Sequence, residues 1–197
     1  MSEPLPDAAL DQLFRTARTA NGYIDKPVST EQIHVIWDLM KMGPTSANML
    51  PARMVWCVSD EAKAKLAACA MPSNGAKIIA APVSVVIGMD LDFHEKLPEL
   101  FPHDPSAQHW WPTQEARAPH ALRNSSLQSA YFIFAARALG LDTGPMSGFS
   151  HEAVDAAFFA DQPNVKSNFI STLGYGDPAK TFGRSPRPPF DTFNTLA

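Results

Sequence analysis

The hydrophobic pattern of the chain predicts five helices and three strands. Apolar positions recur at helical spacing over 7–19, 29–43 and 121–139. The Ala- and Lys-rich stretch 60–70 and a stretch that begins at Ser150 and runs to 160 add two shorter helices. Runs over 53–58, 82–89 and 168–175 predict strands, and the Val-rich second run is typical of a strand buried on both faces.

Two of these helices carry clear local signals. Ser29 followed by Gln32 forms a capping-box pattern at the start of the second helix, and Gly43-Pro44 marks its end. The helix over 121–139 has an almost uncharged stripe and is expected to lie buried at the centre of the fold. That stripe consists of Leu127, Ala130, Tyr131, Phe134, Ala135 and Ala138.

Two segments lie outside regular elements. Residues 91–120 are irregular and rich in proline, histidine and aromatic residues, which favours a lid or a dimer arm over a plain connector. The tail from Asp177 is proline-rich and is expected to be extended. Since the order of elements is neither strictly alternating nor all-helical, we expect an α+β fold with one domain over 1–197.

Composition narrows the class of protein. A net charge of −4 excludes an electrostatic footprint for nucleic acid or an anionic membrane. A charged fraction of only 18% mildly favours an oligomer. The start of the sequence does not resemble a signal peptide, and no apolar run approaches the ~20 residues of a membrane span, so we expect a cytoplasmic protein. Cys57 and Cys69 have apolar flanks and are expected to be free thiols.

Several familiar site motifs do not occur. There is no GxGxxG, GxxxxGK[ST] or GxSxG pattern, so a Rossmann site, a P-loop and a hydrolase nucleophile elbow are unsupported. The six histidines never fall at HxxxH or HExxH spacing, and we predict no metal site.

What remains is a set of five short segments rich in Gly, Pro, Ser, Thr, Asn and basic residues. Such segments place backbone N–H groups and small polar side chains around a planar polar ligand. Taken one at a time they are ordinary turns and surface cations. The segments are 18–21 (with Arg18, Thr19 and Asn21), 43–53 (with Pro44, Thr45, Ser46 and Asn48), 74–77 (with Asn74 and Lys77), 140–149 (with Pro145, Met146, Ser147 and Gly148) and 184–187 (with Arg184 and Arg187).

Taken together and in this order, the five segments resemble the nitroreductase family. The resemblance implies a mostly antiparallel sheet flanked by helices, a homodimer that exchanges its C-terminal tails, and FMN sites at the subunit interface. It also implies a role for each segment: 18–21 and 184–187 at the FMN phosphate, 74–77 at the flavin pyrimidine ring, 145–148 at the flavin edge, and 44–48 on the flavin of the other subunit. The chain departs from the family pattern at Ala17 and Asn21, where basic residues are usual, so the tail arginines are expected to carry more of the phosphate charge.

The implied activity is a ping-pong transfer of hydride from NAD(P)H through FMN to a small acceptor. Lys77 would stabilise the anionic reduced flavin, and the backbone N–H of Ser147 or Gly148 would face the flavin edge. No side chain is assigned as a certain catalytic group, because hydride transfer depends mainly on orientation.

The acceptor is left open between classes. Residues 40–48, 123–128 and 139–149 resemble a bacterial branch that includes the malonic semialdehyde reductase of pyrimidine degradation, whose product is 3-hydroxypropionate. Nitroaromatics or quinones are alternatives, and so is a flavin-binding protein without turnover. Trp110, Trp111 and Arg123 are candidate substrate contacts; dimer packing for the tryptophans, and capping or structural pairing for Arg123, are the alternatives.

Overall fold

A four-stranded antiparallel sheet organises the chain, of which a computed structural model describes residues 3–197. The strands are β1 (Ala52–Cys57), β2 (Val83–Asp90), β3 (Asp142–Met146) and β4 (Val165–Gly174), in the spatial order β1-β2-β4-β3. β2 lies inside the sheet between β1 and β4, which explains why its sequence is apolar on both faces. The predicted α+β class with a mostly antiparallel sheet is confirmed.

Helices cover both faces of this sheet. Their bounds are α1 (Asp7–Leu10), α2 (Thr30–Met40), α3 (Asp60–Ala68), α4 (Pro72–Ala80), α5 (Leu97–Leu100), α6 (Gln114–Ala138) and α7 (His151–Phe158). On one face Val85 packs with Ile36 of α2 and Phe132 of α6, and on the other Val86 packs with Leu66 of α3 and Ile78 of α4. Alternate residues of β2 therefore supply two separate cores.

Local signals fixed two helix ends. Ser29 Oγ accepts from the Gln32 N–H at 3.2 Å, and Gln32 Oε1 accepts from the Ser29 N–H at 3.1 Å, so the predicted capping box is present. α6 ends where Gly140 adopts a φ of +72° and the Leu141 N–H donates to the Ala136 carbonyl at 2.9 Å. A glycine takes this left-handed conformation without steric cost.

The first helix is shorter than predicted. α1 continues as a single π-helical stretch over Asp11–Arg15 and stops, because both the N–H and the hydroxyl of Thr16 bond to the Asp11 carbonyl at 2.9 Å. Residues 17–20 then run alongside β3, where the Ala20 N–H donates to the Thr143 carbonyl at 3.0 Å. Arg18 and Thr19 thus lie beyond the helix.

Segments interpreted as loops contain further elements. Asn74 to Lys77 belong to α4, in which Gly75 permits close packing: a Cβ there would lie 3.2 Å from the Ala67 carbonyl oxygen of α3. Residues 142–146 form β3 rather than a plain turn. Neither element shows the long apolar periodicity on which the sequence prediction relied.

The segment 91–120 is also more regular than predicted. It contains α5 and short 3-10 helices over Phe93–Lys96 and Pro105–His109. Its last seven residues belong to α6, which starts after the Thr113 cap and continues through Pro119. Early in a helix, a proline removes only one backbone hydrogen bond, and the cap and the buried contacts of Arg117 offset that loss. We refer to residues 91–113 as the aromatic segment.

Candidate functional site

Arginines from both ends of the chain line one cleft of about 430 Å³. The Arg18 guanidinium donates to the Phe182 carbonyl. In return, Arg184 NH2 donates to the carbonyls of Arg15 at 2.7 Å and Ala17 at 3.0 Å. These bonds hold the C-terminal tail against the segment that follows α1. The residues around the cleft are Phe14, Ala17, Arg18, Thr19, Asn21, Arg137, Phe182, Gly183, Arg184, Ser185 and Arg187.

This lining, which we call the arginine cleft, is strongly basic. It contains four guanidinium groups and no carboxylate. A guanidinium presents a fixed fork of donors that matches the oxygens of a phosphate. The structure therefore brings together five residues that the sequence assigned to the cofactor, namely Arg18, Thr19, Asn21, Arg184 and Arg187.

Lys77 of α4 is connected to the arginine cleft by a hydrogen bond to Asn21. Its ammonium donates to Asn21 Oδ1 at 2.9 Å, which places the charge of α4 beside the first predicted segment. A basic side chain at position 21 would face Lys77 with a like charge, so the asparagine is compatible with Lys77 in a way that a lysine would not be.

Asn74 connects α4 to the turn after β3. Its Nδ2 donates to the Gly148 carbonyl at 3.1 Å, and the Met71 N–H donates to the same oxygen at 3.0 Å. A Cβ at Gly148 would lie 2.7 Å from Asn74 Nδ2, so this close approach requires glycine. Pro145 and Met146 belong to β3 and lead into the turn.

The turn leaves two backbone donors free. Within residues 3–197, neither the Ser147 N–H nor the Gly148 N–H donates a hydrogen bond. Free backbone N–H groups beside a lysine can bind a polar ligand edge. Hydrogen bonds from Lys77 to Asn21 and from Asn74 to Gly148 thus link segments 18–21, 74–77 and 145–148, and Arg18 links the first of them to the tail.

The segment 44–48 lies elsewhere. The Pro44 carbonyl accepts from the Tyr131 hydroxyl at 2.8 Å, the Ser46 N–H donates to Asn124 Oδ1 at 2.8 Å, and Asn48 Nδ2 donates to the Leu100 carbonyl at 2.8 Å. The Thr45 hydroxyl accepts from the Leu50 N–H at 3.3 Å. None of 44–48 contributes to the described lining of the arginine cleft.

This 44–50 loop has an unusual backbone. Ala47, Asn48 and Leu50 have φ values of 47°, 49° and 39°. Left-handed conformations cost free energy in residues that carry a Cβ, and such strain concentrates at ligand-binding loops. Pro44, Ser46 and Asn48 are exposed, so the loop presents polar groups outward.

The candidate substrate residues differ in their exposure. Trp111 is half-buried and packs edge-on against Phe93 with ring centroids 5.5 Å apart, whereas Trp110 is 47% exposed. Arg123 is exposed on α6 and forms no ion pair with any residue from 3 to 197. The aromatic segment contacts the 44–50 loop through Leu100 and Asn48.

Sequence reasoning missed two sets of charged residues. Arg137, in the last turn of α6, lines the arginine cleft; an arginine next to the glycine-rich segment 140–149 was the available signal. The second set fixes the aromatic segment: Arg117 donates from Nε to the Leu91 carbonyl at 2.7 Å and from NH2 to Asp92 Oδ1 at 2.7 Å. Arg53 pairs with Asp90 at the end of β2.

Comparison with known proteins identifies the family. The model of the family described as "Nitroreductase family" matches residues 1–175. The chain belongs to the nitroreductase family. A relative from Stenotrophomonas maltophilia (strain K279a), named "Putative NADH dehydrogenase/NAD(P)H nitroreductase", is 58% identical over 100% of both chains. A relative of the same name from Xanthomonas oryzae pv. oryzae is 57% identical over 97% of both.

Solved structures agree on the fold. A protein from Exiguobacterium sibiricum in complex with FMN superposes with a TM-score of 0.87 at 21% identity, covering 100% of each chain. A nitroreductase family protein from Streptococcus pneumoniae gives a TM-score of 0.81 at 18% identity, covering 95% of this chain and 100% of that one. The predicted family, fold class and assignment to the FMN-dependent oxidoreductases are confirmed.

The residues of the site fit FMN. Guanidinium groups in a cleft whose lining contains no carboxylate suit its phosphate, and a lysine one helical turn from Asn74, which bonds to the turn with free N–H groups, suits a ring that gains negative charge on reduction. Across residues 3–197, no helix combines the length and apolarity of a membrane span.

Proposed function

We propose that the chain is an FMN-dependent NAD(P)H oxidoreductase in which the arginine cleft binds the phosphate and the surface formed by Asn74, Lys77, Ser147 and Gly148 binds the ring. The observation that carries this proposal is the convergence of four basic side chains and two free N–H groups from distant parts of the chain. When bound in this cleft, FMN would supply the redox chemistry, which is the transfer of a hydride between NAD(P)H and the acceptor.

The residues of this chain bind the cofactor and orient it. Arg18, Arg184 and Arg187 neutralise the phosphate, while the tail bonds to Arg15 and Ala17 keep Arg184 in place. The Lys77 ammonium, held by Asn21, favours negative charge on the pyrimidine ring. The N–H groups of Ser147 and Gly148, which have no acceptor within residues 3–197, donate to the flavin edge. Solvent supplies any proton that the product requires.

The complete site requires a homodimer. Pro44, Thr45, Ser46 and Asn48 face outward from a position that leaves the cleft of their own chain untouched, which supports their binding to the flavin of a second copy. The end of the tail supports the same arrangement, because Phe190, Phe193 and Leu196, which follow the residues of the arginine cleft, are between 55% and 87% exposed. Large apolar side chains at that exposure favour a partner surface, as exchanged tails would provide.

The aromatic segment then belongs to the acceptor pocket. Its contact with the 44–50 loop means that a loop reaching the partner's flavin carries Trp110 and Trp111 towards that site. Arg123, exposed and without an ion pair in the described chain, suits an acceptor with a carboxylate. Malonic semialdehyde has this chemistry, so its reduction to 3-hydroxypropionate is our preferred activity.

Reduction of nitroaromatics or quinones is the second candidate activity. The exposed ring of Trp110 favours it, because such acceptors can stack on an aromatic side chain. The cytoplasm remains our predicted location.

Anaerobic reduction tests the proposal. Purified protein should carry FMN. Addition of NADH or NADPH should then bleach the visible absorbance of this FMN within a single turnover. Protein without FMN would refute the cofactor site, and protein that holds FMN without bleaching would be a flavin-binding protein rather than a reductase.

Turnover with matched acceptors identifies the substrate class. Malonic semialdehyde should be reduced with a higher kcat/KM than an uncharged aldehyde of the same length, and Arg123→Gln should remove that preference. A nitroaromatic or quinone that exceeds the aldehyde by this measure would establish the second candidate instead.

A further inference from the structure

Arg137 occupies an unusual position for a helix-terminal arginine. It lies half-buried in the last turn of α6, with its guanidinium 5.6 Å from the centroid of the Phe134 ring and NH1 donating to the Leu13 carbonyl at 2.8 Å. The side chain therefore points back towards the start of the chain, where it lines the same cleft as Arg18, Arg184 and Arg187.

Arg137 forms no salt bridge within residues 3–197. The cleft that it shares with Arg184 has no carboxylate in its lining, whereas Asp11 and Asp142 line the adjacent pocket beside it. Burial lowers the pKa of Arg137, and Arg184 lowers it further by repulsion, against an opposing effect of Asp142. Two guanidinium groups brought together in this way repel unless an anion lies between them.

The segment 18–21 provides few cations to this cleft. Ala17 and Asn21 flank Arg18 and Thr19, so Arg18 is the single cation of that segment, and Asn21 is already bonded to Lys77. Arg137 reaches the cleft from a different element, and only its NH1 has a partner in the described chain. Its remaining N–H groups are free to donate to a ligand.

We infer that Arg137 is a phosphate-binding residue that makes this chain discriminate strongly between FMN and riboflavin. The inference rests on the proposed function of the arginine cleft. It adds a cation from α6, a helix that none of the five sequence segments of the cofactor site includes, and it predicts a specific energetic role: Arg137 acts on the phosphate group and not on the flavin ring.

Arg137→Gln separates this role from a structural one. Glutamine keeps a neutral N–H donor on this side chain, whereas the charge is lost. We expect the Kd of the apoprotein for FMN to rise roughly tenfold, as expected for losing one charge-assisted hydrogen bond, while the Kd for riboflavin stays within about twofold. Arg137→Lys should recover part of the FMN affinity because it restores the charge.

Controls exclude other causes. Lys41→Gln removes one positive charge from an exposed site at the C-terminal cap of α2 and should leave both affinities unchanged. The FMN affinity of the native protein should fall more steeply with salt than that of Arg137→Gln. Equal weakening of FMN and riboflavin by Arg137→Gln, or no change in either, would overturn the inference. Failure of the native protein to bind FMN would instead refute the proposed function.

Discussion

The arginine cleft and the 44–50 loop contrast in how the fold supports them. The cleft is assembled inside one chain, from residues near both termini and from the end of α6, and Lys77 of α4 bonds to its Asn21. The 44–50 loop is held by α6 and the aromatic segment, with a left-handed backbone and outward polar groups. In the proposed dimer, one copy binds the phosphate of the cofactor and the 44–50 loop of the other copy completes the site.

Mixing two defective chains gives the largest expected effect. Ser46→Tyr blocks the loop at an exposed side chain without touching the cleft, and Arg18→Glu with Arg184→Glu blocks the cleft without touching the loop. Each homodimer should hold little FMN. A heterodimer purified through two different tags should hold about half the FMN of the native dimer, since a two-fold dimer then contains one intact site and one doubly defective site.

The native protein carrying the same two tags is the control for purification. FMN absent from the heterodimer, with both chains folded by circular dichroism, would mean that cleft and loop serve the same flavin from one chain. FMN retained by the Ser46→Tyr homodimer would mean that the loop does not reach the flavin at all.

Substitution of Arg117 tests the aromatic segment that supports the 44–50 loop and leaves the residues of the loop unchanged. Arg117→Met leaves the Asp92 carboxylate and the Leu91 carbonyl without their partner. We expect the free energy of unfolding to fall by about 2–3 kcal/mol, slightly less than for a fully buried pair because Asp92 is 28% exposed. Urea unfolding measures this change, and the KM for the acceptor should rise because the aromatic segment loses its position.

Two matched variants check the cause. Adding Asp92→Asn to Arg117→Met should recover part of the stability, since the unpaired carboxylate is then absent. Lys166→Met removes a long exposed contact to Asp155 of 4.0 Å and should change stability by less than about 0.5 kcal/mol. A loss equal to that of Lys166→Met would show that Arg117 does not fix the aromatic segment.

The same contrast explains what the sequence could predict. The Ser29 cap, the end of α6 and the buried β2 depend on neighbouring residues, and their patterns are local. α4 was missed because Gly75 weakens its helical signal, although that glycine is what lets α4 approach Ala67 of α3. Arg137 was missed because its role depends on a chain start more than 120 residues away, at Leu13. Local chemistry and the family resemblance selected most candidate residues and already assigned 44–48 to a separate role, and the fold shows the 44–50 loop away from the arginine cleft.

Removing the charge of Lys77 should have an intermediate effect, on the reduction potential of the bound FMN. Lys77→Met should lower the two-electron reduction potential of bound FMN by about 30 mV, a tenfold change in equilibrium constant, because the ammonium no longer favours the reduced anion. Lys77→Arg should retain most of the potential. Asn21→Leu should produce a smaller decrease, since it removes the acceptor that holds Lys77 at 2.9 Å but leaves the charge.

Spectroelectrochemical titration measures these potentials, and the 44–50 loop supplies the comparison. Ser46→Ala removes a hydroxyl without changing charge and should shift the potential by less than either cleft variant. A potential unchanged in Lys77→Met would contradict the assignment of Lys77 to the flavin ring, even if FMN remains bound.

Relieving the strain of the 44–50 loop gives the smallest expected effect. Glycine adopts a positive φ without the cost borne by other residues, so Ala47→Gly should raise the free energy of unfolding by about 0.5–1 kcal/mol at the observed φ of 47°. Ala20→Gly, in the buried segment beside β3, should lower it, because that alanine has an ordinary backbone and loses a packed methyl group. If the strained backbone orients the loop for the partner's flavin, Ala47→Gly should combine higher stability with weaker FMN binding. Higher stability with unchanged FMN binding would show instead that the hydrogen bonds to Asn124 and Leu100 alone fix the shape of the loop.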